Sequence, residues 1–120
     1  MWPWSMPLNS NDSELLRYMR SATIAAQSFV NDLTLQMYLA SDLHASAVER
    51  KLIVIGEAAG ELSSDLIRRY SRVRWDLITG VRHKLVHDYY EIDSRRIWQI
   101  VTEDLPDLLN NIDFIVASEA

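Results

Sequence analysis

Apolar residues recur at intervals of three and four through separate stretches of this chain, the spacing that lines one face of an α-helix. Leu15, Met19, Ala22, Ala26 and Phe29 form the first such stripe, and Val48, Leu52, Ile55, Ala59 and Leu62 the second. Trp75, Ile78, Leu85 and Tyr89 form a third. A fourth runs through Ile97, Val101, Leu105, Leu108, Ile112 and Ile115. Only three glycines and three prolines punctuate 120 residues, so short strands joined by regular turns are not supported.

Start and stop signals divide the pattern. Asn11, Asp12 and Ser13 are candidate caps for the first helix, Ser41 or Asp42 for the second long one, and Asp93 or Ser94 for the last. A short helical piece is expected over residues 33–39, and a helical turn over 65–70 inside a polar connection. The third long helix is expected over residues 75–89. Pro106 lacks an amide hydrogen and crowds the preceding turn, so the last helix should kink there or restart after Asp104. Gly56 and Gly60 lie one turn apart, where small residues let another helix approach. The expectation is all-α: an antiparallel bundle of four to five helices in one domain over residues 12–120, after a tail of residues 1–11.

Composition narrows the chemistry. Without cysteine there is no disulfide scaffold, thiolate cluster or cysteine nucleophile, which suits a reducing cytoplasm. The longest uncharged stretch of the folded region, residues 21–31, is far short of the roughly 20 residues that span a bilayer, so no membrane association is expected. MWPWSMPLN has neither the basic nor the apolar region of a secretory signal. A net charge of −5 argues against a uniformly positive nucleic-acid-binding surface. Yet Arg68, Arg69, Arg72, Arg74, Arg82 and Lys84 fall in one segment with Asp76 as its only acid, a basic stripe on an acidic body that could guide an anion to one place.

The densest polar cluster, Gly80 to Tyr90, lies inside that third helix. Imidazole changes charge near neutral pH and guanidinium binds phosphate, so His83, His87 and Arg82 offer proton transfer and anion binding together. On a regular helix Arg82 and His87 sit about 140° apart, so either the helix distorts between them or a second subunit completes the site. His83 and His87 share a face and could hold a metal with Asp88 or Glu91, but neither the H-E-x-x-H pattern nor a fourth ligand is evident, and no metal or other cofactor is expected. Glu57, in an apolar run, is a candidate partner for Arg82, with a purely structural ion pair as the alternative. Phosphate-binding loops and G-x-S-x-G elbows are absent.

RHKLVHDY, from Arg82 to Tyr89, resembles the R-x4-H-x-Y motif of HepT-like toxins in the HEPN superfamily of helical nucleotide-binding domains. RKLIVIGEAAGEL upstream and IDSRRIWQIVTEDLPDLL downstream resemble that family's flanking helices, so the likeness extends over nearly everything from Ser13 on. His83 departs from the asparagine common after the motif arginine. The resemblance implies a HEPN homodimer acting as a metal-independent ribonuclease on RNA, tRNA among the candidate substrates, with Arg82 and His87 catalytic. It implies further that a partner antitoxin, an MNT-type nucleotidyltransferase, silences the toxin by attaching AMP to Tyr89. Supporting roles fall to His83, Asp88 and Glu57. The competing expectation is a non-catalytic HEPN module that only docks the nucleotidyltransferase.

Overall fold

A computed structural model describes residues 8–119, with side chains from Asn11 onward. It is helical, with no strand among the described residues. Helix α1 (Leu8–Val30) leads through α2 (Leu35–Leu39) to α3 (Asp42–Glu61), and α4 (Ser64–Arg69) to α5 (Trp75–His87). A 3-10 turn (Tyr89–Glu91) precedes α6 (Ser94–Gln99), which passes through a π-helical turn (Ile100–Asp104) into α7 (Leu105–Glu119). The long helices pack as α7 on α1, α1 on α3 and α3 on α5, while α2 covers α3 and α6. This is the expected all-α bundle.

The stripes form its core. Leu15, Met19, Ala22 and Ala26 of α1, all five residues of the second stripe and all six of the fourth are buried together. Burial of such side chains, each contributing roughly 1.5–3 kcal/mol, holds helices that would be marginal alone.

Capping follows the sequence at some ends and departs from it at others. Ser41 caps α3 by accepting from the His44 amide, Ser63 caps α4, and Asp93 caps α6. Asn11, Asp12 and Ser13 are not caps, because α1 already runs from Leu8. Asp12 is instead buried inside the helix, where Oδ1 accepts from the Ser63 amide at 2.9 Å and Oδ2 from its hydroxyl at 2.6 Å. One carboxylate thus ties the first turns of α1 to the start of α4, across 51 residues. The residues 1–7 of the expected tail lie outside the described residues.

Pro106 acts as expected, by a specific route. The Leu105 amide reaches back to the Ile100 carbonyl, widening the turn before the proline, and α7 restarts at Leu105. The wider turn accommodates a residue that can neither donate nor tolerate a tight preceding turn.

Candidate functional site

Helix α5 carries the polar cluster and is anchored at both ends. The buried Trp75 donates from its indole to the Tyr70 carbonyl at 3.0 Å, fixing the start. Leu85 is buried near the end, and the Asp88 amide closes the last turn on the Lys84 carbonyl. The helix is continuous from Trp75 to His87, so nothing between Arg82 and His87 brings them to one face.

Arg82 faces α3. Its Nε donates to Glu57 Oε1 at 2.9 Å, and Nη2 donates to the same oxygen. Nη1 has no hydrogen-bond partner among the described residues. The close crossing depends on Gly56: a β-carbon there would lie 2.2 Å from Arg82 Cβ and 3.0 Å from the Ile78 carbonyl oxygen. No real side chain fits that gap. Gly60, its partner in the sequence pattern, meets nothing within 4 Å, so only Gly56 serves the approach.

His83 and His87 lie on the opposite, exposed side, with ring centroids 4.5 Å apart. Asp88 is exposed at the helix end and its side chain makes no cap hydrogen bond. Among the described residues no group of three His, Cys, Asp or Glu side chains is arranged to hold a metal ion. The third histidine, His44, is occupied at the start of α3 by the Ser41 hydroxyl at 2.6 Å. Gly80 is exposed on the histidine side and leaves open space where a side chain would stand.

Tyr89 requires a correction. The stripe puts it on the apolar face of a helix running to 89, but α5 ends at His87 and Tyr89 enters the 3-10 turn, 54% exposed. It packs edge-on against the fully exposed Tyr90, at 5.8 Å between centroids. Its phenol is therefore no core hydroxyl.

The basic stripe is also less positive than its composition implies. Arg69 pairs with Asp65 and Glu119, Arg74 with Asp76, and Arg82 with Glu57, while Arg68 lies 3.9 Å from Asp65. The Arg74 guanidinium, hydrogen-bonded to Asp76, holds that carboxyl below its ordinary range. Glu119 is held low in the same way by Arg69 and then Tyr70. Among the described residues, Arg72 and Lys84 are the cations of the segment left without a carboxylate partner.

Those two cations border two cavities that the sequence did not reveal. One, of about 330 Å³, lies between α3, α5 and α7, with Arg72 at its rim. The other, of about 340 Å³, lies between α5 and α6, with Lys84 at its rim. Leu77, Val81 and Ile100 line both. Their walls join residues far apart in the chain, which helical periodicity cannot relate.

Comparison with known proteins finds a family model and several relatives. The family model described as "Ribonuclease HepT-like" matches residues 19–115. A protein of Methanocaldococcus jannaschii named "Putative RNase MJ0127" is 38% identical over 88 residues, covering 73% of each chain. "Putative RNase TTE0752" of Caldanaerobacter subterraneus subsp. tengcongensis is 29% identical over 75% of this chain and 80% of its own. "Probable ribonuclease HepT" of Thermococcus cleftensis is 28% identical over 84% of this chain and 92% of its own. No solved structure matches the chain significantly.

Proposed function

The chain belongs to the HepT-like ribonuclease family, and from that premise we propose that it is the toxin of a toxin–antitoxin pair, a metal-independent endoribonuclease working in the cytoplasm as a homodimer. The observation that carries the reading is the placement of the R-x4-H-x-Y residues: Arg82 held by Glu57 on one side of α5, His87 exposed in its last turn, and Tyr89 exposed just beyond. Because Arg82 and His87 point away from each other, one chain supplies them to different sides, and pairing α5 with its copy assembles Arg82 and His87 of two subunits around one phosphate.

In the proposed reaction a ribose 2′-oxygen attacks the adjacent phosphorus. The bond from phosphorus to the 5′-oxygen breaks, leaving a 2′,3′-cyclic phosphate and a free 5′-hydroxyl. A neutral His87 takes the 2′-hydroxyl proton, and the protonated His87 of the other subunit gives one to the departing 5′-oxygen. The Arg82 fork binds the phosphate and opposes the charge that grows on its non-bridging oxygens. RNA is the substrate class, with tRNA among the candidates.

Tyr89 supplies the switch. Its phenol oxygen attacks the α-phosphorus of ATP held by an MNT-type nucleotidyltransferase partner. An O–P bond to tyrosine forms, pyrophosphate leaves and the phenolic proton is released. The attached adenylyl group adds bulk and a negative phosphodiester close to Arg82, where it competes with RNA.

The test incubates protein, confirmed free of AMP by mass, with total RNA or tRNA in excess EDTA beside Arg82→Ala and His87→Ala. Cleavage by the unmodified protein alone, leaving cyclic phosphate ends, is expected. Cleavage retained in His87→Ala overturns the assignment. A second reading, a non-catalytic module that docks the nucleotidyltransferase, draws support from the Glu57 carboxylate already occupying Arg82. It predicts partner binding with no turnover.

A further inference from the structure

The groove between α5 and α6 lies beside the motif helix, and nothing in the reaction just described uses it. Its walls are apolar, with Leu77, Val81 and Leu85 on α5 facing Ile92, Ile97 and Ile100. Its volume is about 340 Å³, larger than a nucleobase. Two cations, Lys84 and Arg96, line it together with two carboxylates, Asp76, which is paired with Arg74, and Asp93, which caps α6. Arg96 is half exposed and lies 3.7 Å from Asp104, while Lys84 has no carboxylate partner among the described residues. Gly80 also lines the groove, and open space stands where its side chain would be.

Gly80, His83, Lys84 and His87 follow each other at steps of three, one and three along α5. They form a strip in which Lys84 stands less than one turn, about 5.4 Å of rise, from His87. Single-stranded RNA is held where unstacked bases lay their faces on aromatic rings or guanidinium planes and cations follow the phosphates; here Arg96 supplies the guanidinium beside aliphatic walls and Lys84 the cation.

We propose that the α5–α6 groove binds a nucleobase of the RNA strand next to the cleaved bond, with Lys84 binding that nucleotide's phosphate. The proposal rests on the ribonuclease reading for the identity of the strand, and it assigns Lys84 and the groove walls to substrate positioning. The largely apolar groove and the adjacent Lys84, which has no ion-pair partner among the described residues, match an aromatic ring carrying an anion.

The test measures binding by fluorescence anisotropy, using a short fluorescein-labelled 2′-O-methyl oligoadenylate, which cannot be cleaved, and an abasic sugar–phosphate chain of equal length. The intact strand is expected to bind the wild-type protein about tenfold more tightly than the abasic one. Ile92→Trp, which fills the groove from the loop side, should bring the two strands to equal affinity. Lys84→Ala should weaken both strands together and reduce the salt dependence of binding by about one phosphate contact. A thermal melt of each variant reports folding, and the exposed Lys84 keeps the test intact if Ile92→Trp fails to fold. Equal binding of both strands by the wild type overturns the proposal, as does an unchanged salt dependence in Lys84→Ala. Failure to cleave unmodified RNA in EDTA overturns the ribonuclease reading instead, and the binding comparison still decides the groove.

Discussion

The β-carbon of Arg82 stands where a side chain at Gly56 would have to go, at a distance of 2.2 Å from the position such a side chain would begin. The contact joins α3 to α5 at the motif arginine itself. Glu57, the next residue on α3, holds the guanidinium beyond it.

Gly56→Ala should therefore force α5 away from α3, at a cost of about 1–3 kcal/mol, the range for overpacking a filled contact. Gly60→Ala meets nothing within 4 Å and should raise stability by about 0.5–1 kcal/mol through its better helix propensity. Denaturant unfolding of the two variants beside the parent checks the contrast. Equal effects would show that α3 and α5 do not cross at Gly56.

If Glu57 positions the Arg82 fork, Glu57→Ala should lower kcat about tenfold, a smaller loss than removing a proton-transfer group. KM should fall or stay level, because a negative charge leaves the phosphate's path. Glu57→Gln keeps an acceptor for Nε and should retain most of kcat. Steady-state cleavage of one RNA by the three proteins separates positioning from a merely structural pair, since a structural role predicts no rescue by glutamine beyond its effect on Tm.

Gly80 and the two histidines leave one side of α5 open. If the proposed homodimer pairs two copies of α5 on this side, a bulky residue at Gly80 should keep them apart, so Gly80→Trp should be monomeric where the parent chain is dimeric, while its helical content survives. Light scattering after size exclusion reads the first, circular dichroism the second. A stable Gly80→Trp dimer with full activity would place the subunit contact elsewhere.

Glu49 on α3 supplies the pH prediction. Burial, and secondarily the charge of Asp42, push its carboxyl above the ordinary value of 4.5. The folded chain therefore keeps a proton that the unfolded chain has released. The associated stability is full below the unfolded value and is lost as pH rises through the folded one. Nearby, Tyr38 is buried against Trp98 with no partner for its hydroxyl among the described residues, and its phenol is pushed up to about 12 by burial and then by the Glu49 charge. Glu49→Gln should raise Tm by a few degrees at neutral pH and change it little below pH 4.5. Scanning calorimetry at the two pH values tests the sign.

The four apolar stripes and the motif were legible in the sequence because each depends on residues within a few turns of one another. Side chains three and four apart share a face wherever the helix lies, so the buried sets of α1, α3 and α7 follow from spacing alone. Pro106 was legible for the same reason, its missing donor being a local property. The end of α5 was less so: the apolar pattern carries on to Tyr89, and only the structure closes the helix at His87 and turns that phenol to solvent. Asp12 looked like a helix cap because nothing local announces that its partner is Ser63.

Sequence by itself determined the all-helical class, the faces that form the core, and the presence of guanidinium, imidazole and phenol within one short motif. Tertiary structure decided which of two similar glycines admits a neighbouring helix. It also put Arg82 against Glu57 while leaving His87 exposed, paired off most of the basic stripe and opened a groove beside Lys84. The division is physical. Periodicity and propensity act along a few turns of chain, whereas close approach, ion pairing and cavity walls depend on segments that meet only when the bundle assembles.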